Sequence, residues 1–313
     1  MSLTKLLKNE KNISTDLGIF SFVEHIGEGG NSEVFLFKRE LPRDVLEDGF
    51  KNKVAIKFLK ADVSDSQLPR FKDEFFCVQQ IGTHENIAKY YHFDKINVAD
   101  ESYYIIIMKY YESSLNKFIS TLDEDEKNQW LKVLFSSLCN GLKFLHDNNI
   151  IHRDIKPENI MVMKNRKVKI IDFDAAKIHK IYSEKDTRTV GTIGYAAPEQ
   201  YQGMLTAASD FYALGKTIQQ LCGRNKYPYY MRSPQFAKFI SKCCREDANR
   251  RWQNVSDAEN CLNRVKTKPV SLKSVLVPTC AVLITIAAGI LKAGVFPVLP
   301  EFQYTLAAVT DTF

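Results

Sequence analysis

His152-Arg153-Asp154-Ile155-Lys156-Pro157-Glu158-Asn159 is followed, after a short β-like run, by Ile170-Ile171-Asp172-Phe173-Asp174. Ahead of this stretch, Trp130, Val133, Leu134, Leu138, Leu142 and Leu145 recur at helical spacing and mark the buried face of one long helix. Beyond it, residues 211–221 and 236–244 read as further helices. Before Tyr110 the pattern is strand-like, with β-branched and aromatic runs over residues 19–26, 34–37, 54–58 and 103–108. One helix interrupts it over residues 69–81, where Phe71, Phe75, Val78 and Ile81 share a face. A small β-rich half thus precedes a larger α-rich half, an α+β architecture in two lobes. Residues 38–53, carrying Pro42 and Gly49, are long for a strand connection and read as a surface excursion.

Two earlier segments suit phosphate. Gly27-Glu28-Gly29-Gly30-Asn31-Ser32-Glu33-Val34 lies between two strand-like runs, where glycines let backbone approach phosphate oxygens closely. Alone it is equally an ordinary turn. Val54-Ala55-Ile56-Lys57 then buries a strand and ends it on one ammonium, suited to the α- and β-phosphates of a nucleotide. That cation needs a counter-ion, and Glu74 on the next helix, beside Phe71 and Phe75, is the best placed.

With the opening stretch, these segments resemble the eukaryotic-type serine/threonine protein kinases. The catalytic loop, the metal-binding Asp, the Ala197-Pro198-Glu199 triplet and the later helix stand in family order from about Phe20 to Lys266. The resemblance implies a two-lobed kinase fold over residues 20–267: an antiparallel β-rich N-lobe with one helix (20–108), a hinge (109–112) and a mainly α-helical C-lobe (113–267). It also implies transfer of the γ-phosphoryl of ATP with Mg²⁺, or Mn²⁺, as the metal.

In that setting each polar position has a task. Asp154 orients the acceptor hydroxyl and takes its proton, while Asn159 and Asp172 are hard oxygen ligands for the metal. Lys156 supplies positive charge where it spreads on the transferring phosphoryl. Asp-Ile-Lys-Pro-Glu-Asn is the serine/threonine form of the loop, so Ser or Thr is the expected acceptor. Thr192 is similar to the residue whose hydroxyl contacts the catalytic Asp and Lys. The resemblance lines the ATP pocket with Ile26, Gly27, Gly29, Gly30, Ser32, Val34, Ala55, Lys57 and Met108, and sets the backbone of Lys109 to Tyr111 against the adenine edge. Apolar members of that set are equally core residues.

Arg153 corresponds to the arginine that receives a phosphate from the activation segment, residues 175–199, where Thr187 and Thr189 are the candidate sites. Autophosphorylation in trans would call for self-association. Asp210 resembles the buried helix Asp that holds the catalytic loop, and Arg251 is expected to pair with Glu199. Two positions depart from the pattern: Ser32 stands where a third glycine usually falls, and Asp174 replaces the glycine after Asp172-Phe173. Asp174 restricts the backbone and brings a second carboxylate near the metal site.

Bulk composition narrows the alternatives. A net charge of +6 without a basic, aromatic stripe argues against a nucleic-acid partner. The 7 cysteines are scattered without C-x-x-C spacing and read as reduced thiols. The histidines outside the catalytic loop, His146 among them, lack ligand spacing and read as structural. Residues 1–19 form a polar extension without a secretory signal. Residues 268–273 are a basic linker, 274–299 a membrane-spanning helix region and 300–313 a short tail. Residues 274–291 carry no charge and suffice for about 30 Å of hydrocarbon. Arg264, Lys266, Lys268 and Lys273 precede them, which places the kinase in the cytoplasm. Pro278 and Lys292 leave a buried hairpin or docking helix as the alternative. Two rival functions are a scaffold without transferase activity, which should lack a catalytic group, and a small-molecule phosphotransferase, which should lack Gly191-Thr192 and Ala197-Pro198-Glu199.

Overall fold

The computed structural model describes residues 2–40, 52–60, 64–164, 166–178, 191–204, 206–222 and 234–264. Thr187, Thr189, most of the excursion and residues 268–313, with the proposed span, lie outside them. Residues 1–19, read from sequence as an extension, contribute a helix α1 (Leu3–Glu10) and a strand β1 (Asn12–Thr15) to the first lobe. Strands β2 (Gly18–Glu28), β3 (Ser32–Glu40) and β4 (Lys53–Leu59) follow. Helix α2 (Ser64–Ile81) comes next, starting earlier than its apolar spacing suggests, and then β5 (Tyr90–Val98) and β6 (Glu101–Lys109). The sheet is antiparallel in the order β1-β2-β3-β4-β6-β5.

Period-two alternation decides what each face of this sheet meets. Val54, Ile56 and Phe58 of β4 and Ile105 and Ile107 of β6 point to one side, where they pack with Phe20, Phe35 and Phe37. Leu3 and Leu7 of α1 close that core from outside, together with Ile13 of β1. Ala55 and Leu59 of β4 and Ile106 and Met108 of β6 belong to the other core, with Phe71, Phe75 and Val78 of α2. Lys57 shares the parity of Ala55 and Leu59, so the strand itself sends its ammonium towards α2.

The second lobe begins with β7 (Ser113–Ser114), α3 (Leu115–Ser120) and the long α4 (Glu124–Asp147). Asp123 accepts from the Glu126 amide at 2.8 Å, and Glu126 reaches back to the Asp123 amide, so a capping box starts α4. Short strands β8 (Ile150–Ile151), β9 (Ile160–Val162), β10 (Val168–Ile170) and β11 (Lys177–Ile178) hold the two polar loops between them. Helices α5 (Ala207–Cys222), α6 (Pro234–Cys243) and α7 (Val255–Asn263) complete the lobe. Leu134, Leu138 and Leu142 of α4, Phe211 and Leu214 of α5 and Phe236 and Phe239 of α6 form its core, which runs on beneath α2. Cys77, Cys139, Cys243, Cys244 and Cys261 are free thiols, in keeping with the sequence reading.

Candidate active site

A cleft of about 740 Å³ takes in every residue assigned to the nucleotide pocket: Ile26, Gly27, Gly29, Gly30, Ser32, Val34, Ala55, Lys57, Met108, Lys109 and Tyr111. The same cleft contains Glu74, Asp154, Lys156, Asn159 and Asp172. Sequence reasoning missed Met161 and Ile171, which also line it. Met161 alternates between the buried Ile160 and Val162 on β9, a period-two signal that was available.

Lys57 joins three elements. Its Nζ donates to Glu74 Oε2 on α2 at 2.7 Å and to Asp172 Oδ1 at 2.9 Å. Tyr90 on β5 donates its hydroxyl to the other Glu74 oxygen at 3.0 Å, a support that no local pattern announced. Burial works against the Lys57 charge, but Asp172 and Glu74 outweigh it and hold the ammonium protonated. Burial likewise works to raise the Asp172 carboxyl, and Lys57 outweighs it and holds the group below its ordinary value.

Asp154, Lys156, Asn159 and Thr192 form one hydrogen-bonded unit. Thr192 donates its hydroxyl to Asp154 Oδ1 at 2.6 Å and accepts from Lys156 Nζ at 2.7 Å. Lys156 Nζ lies 2.8 Å from Asp154 Oδ2, which also accepts from Asn159 Nδ2 at 2.9 Å. Asn159 Nδ2 further donates to the Asp154 carbonyl at 2.9 Å. The amide nitrogen is thereby committed to Asp154, and Asn159 keeps its oxygen as an acceptor. With one Asp172 oxygen on Lys57, the remaining Asp172 oxygen and the Asn159 oxygen are the hard donors that a magnesium ion requires, so the residues fit that metal.

The loops holding these groups are themselves constrained. Arg153 and Asp172 adopt φ of 72° and 63°, a left-handed conformation that non-glycine residues rarely take. Asp210, buried in α5, accepts the Arg153 amide at 2.8 Å and the His152 amide at 3.0 Å, which fixes the turn. His146 Nε2 lies 2.8 Å from the same carboxylate, a partner 64 residues away that the spacing of histidines concealed. Gly191 needs its φ of 130°, and a Cβ there would stand 2.7 Å from that of Ala196. Below it, Arg251 grips Glu199 through two bonds of 2.6 and 2.7 Å, as expected.

Asp174 lines the same cleft, and one of its carboxylate oxygens is turned to Arg70. Arg70 Nε lies 2.9 Å from Asp174 Oδ1 and donates to the Asp174 carbonyl at 2.8 Å. Asp174 is also absent from the residues with positive φ, which explains how a non-glycine residue fits there.

Residues 20–265 match the protein kinase domain family. The chain is similar to the serine/threonine-protein kinase PknA of Corynebacterium glutamicum, at 34% identity over 64% of this chain and 42% of that protein. It is similar to cyclin-dependent kinase E-1 of Arabidopsis thaliana, at 34% identity over 64% of this chain and 44% of that one. The serine/threonine-protein kinase PknB of Mycolicibacterium smegmatis is 32% identical over 63% of this chain and 31% of its own length. The chain thus spans less than half the length of these curated relatives. With the family match extending over most of its length and the two-lobed fold around the cleft, this chain belongs to the protein kinase domain family.

Proposed function

We propose that this chain transfers the γ-phosphoryl group of ATP to serine or threonine hydroxyls of protein substrates, Thr187 and Thr189 of its own activation segment included. One observation carries the reading: the Asp154–Lys156–Asn159–Thr192 unit shares a cleft with the Lys57–Glu74–Asp172 network. Asp154 orients the acceptor hydroxyl and takes its proton. Lys156 balances negative charge on the transferring group, and Lys57, fixed by Glu74, holds the α- and β-phosphates. Asp172 and Asn159 hold magnesium, with manganese as an alternative. Bound there, the metal neutralises phosphate charge. The scaffold alternative loses ground because no catalytic group is missing, and the small-molecule alternative because Gly191-Thr192 and Ala197-Pro198-Glu199 are present.

The test is the intact mass of phosphatase-treated chain after incubation with Mg-ATP, beside an Asp154→Asn control. The expected result is phosphate on the unsubstituted chain alone, mapped to Thr187 or Thr189. ATP binding with no phosphate gained by the chain or by added protein substrates would leave the scaffold reading.

The same proposal includes membrane attachment through residues 274–299, with the kinase domain on the cytoplasmic face. Its support is the uncharged run 274–291 behind Arg264, Lys266, Lys268 and Lys273. Among the described residues no helix is long and apolar enough to cross a membrane. Full-length chain should resist carbonate extraction from membranes and a chain lacking 274–299 should not; equal extraction of both contradicts the anchor.

A further inference from the structure

Helix α2 carries Arg70 one turn ahead of Glu74, and residues four apart on a helix share a face. Both reach the same loop. Glu74 is linked through Lys57 to Asp172, by contacts of 2.7 and 2.9 Å. Arg70 Nε meets Asp174 directly, at 2.8 Å to its carbonyl and 2.9 Å to Oδ1. Between the two acidic residues, Phe173 is buried against Tyr90 and His152, with ring centroids 6.1 and 4.9 Å apart. Tyr90 in turn bonds Glu74. A glycine at position 174 would offer Arg70 a carbonyl alone, whereas aspartate adds a charged acceptor.

We propose that Arg70 and Asp174 form a latch, a positioning pair that holds α2 against the Asp172 loop and so keeps Glu74, Lys57 and Asp172 in register for phosphoryl transfer. For its kinetic consequence the proposal rests on the kinase reading; its structural consequence stands apart from it. The two side chains are 30% and 36% exposed, so solvent screens the pair. Its loss should therefore raise the unlatched population by only about 1.4-fold to fivefold.

Amide hydrogen exchange on the full chain tests this without turnover. Arg70→Gln and Asp174→Asn should each raise exchange in residues 64–81 and 170–176 by that factor at low salt, and leave α4 and α5 unchanged. The double variant should exchange no faster than Arg70→Gln, because Asp174→Asn removes only the carboxylate part of a contact that Arg70→Gln removes whole. Asp174→Gly, which suits any backbone, should match Asp174→Asn, and Arg70→Lys should recover part of the protection. Turnover is the second readout: kcat on a peptide acceptor should fall in each single variant, and in the double no further than in Arg70→Gln. Unchanged exchange in either single variant, additive effects in the double, or full turnover from a loosened helix each overturn the latch. Failure of the Asp154→Asn comparison would count against the kinase reading while leaving exchange readable, so the two ideas can fail separately.

Discussion

Glu199→Gln should be among the most destabilising single-atom exchanges in the second lobe. The Arg251 side chain is fully buried and commits all its donors. Nε bonds the Arg245 carbonyl at 2.6 Å; Nη1 bonds Glu199 and the Ala208 carbonyl at 2.6 and 3.1 Å; Nη2 bonds Glu199 and the Glu246 carbonyl at 2.7 and 2.8 Å. Glutamine keeps the shape but turns one acceptor into an N–H facing a guanidinium N–H, and leaves a buried cation without its counter-charge. Removing one partner of such a pair costs about 3–5 kcal/mol. At about 2–4 °C per kcal/mol for a domain of this size, thermal unfolding followed by circular dichroism should shift down by roughly 6–20 °C. Glu199→Gln with Arg251→Met removes both charges and should recover part of the loss. A shift under about 2 °C for Glu199→Gln would refute the claim that this pair is buried and mutually dependent.

The same carboxylate supplies an acid limb. Burial works to raise the Glu199 carboxyl, but Arg251 and Ser209 outweigh it and hold it below its ordinary value. Asp210 is held low in the same sense, with His146 outweighing burial. A depressed folded-state value contributes stability that is complete above the unfolded carboxylate range and lost as pH falls through the folded value. The melting temperature should therefore fall on acidification below about pH 4.5, and less steeply in Glu199→Gln.

Two further substitutions probe other links of the argument. Leu7→Ala empties a site in α1 that is 1% exposed, and should cost about 2–5 kcal/mol in urea unfolding if the N-terminal segment is part of the lobe; a cost near zero would make it an appendage after all. Thr192→Val removes the hydroxyl between Asp154 and Lys156, and should lower kcat by about tenfold to a hundredfold, the worth of a charge-assisted hydrogen bond, with KM for ATP unchanged. An unaltered kcat in steady-state peptide assays would dismiss Thr192 as a positioning group.

What could be read from sequence is what leaves a local trace. Continuous β-branched and aromatic runs announced β4 and β6, and the spacing of Phe71, Phe75 and Val78 announced the helix that carries Glu74. The polar loops were legible because their residues sit close together in the chain. Contacts between distant segments left no such trace. Arg70 and Asp174 are 104 residues apart, and each looks like a solvated charge in its own surroundings. Leu3, Leu7 and Ile13 are too few, in a lysine- and asparagine-rich stretch, to reveal that the first lobe has a face waiting for them. Tyr90 sat on β5, which mixes histidine, aspartate and lysine with aromatics and gave no clean alternation.

The strand β1 has a consequence for solubility. Paired from Asn12↔Ser21 to Thr15↔Gly18, it covers the first four residues of β2, a strand of 11 residues that would otherwise present its whole outer edge. Unpaired strand edges recruit other strands, including those of a neighbouring copy. Beyond the covered part, register shifts between Phe22 and Glu24 and between His25 and Gly27 interrupt the ladder with β3. Such bulges twist an edge away from flat pairing. Removing residues 1–17 would thus bare the backbone donors and acceptors of Gly18 to Ser21 as well as apolar side chains, and the shortened protein should gather into aggregates at concentrations tolerated when β1 is present.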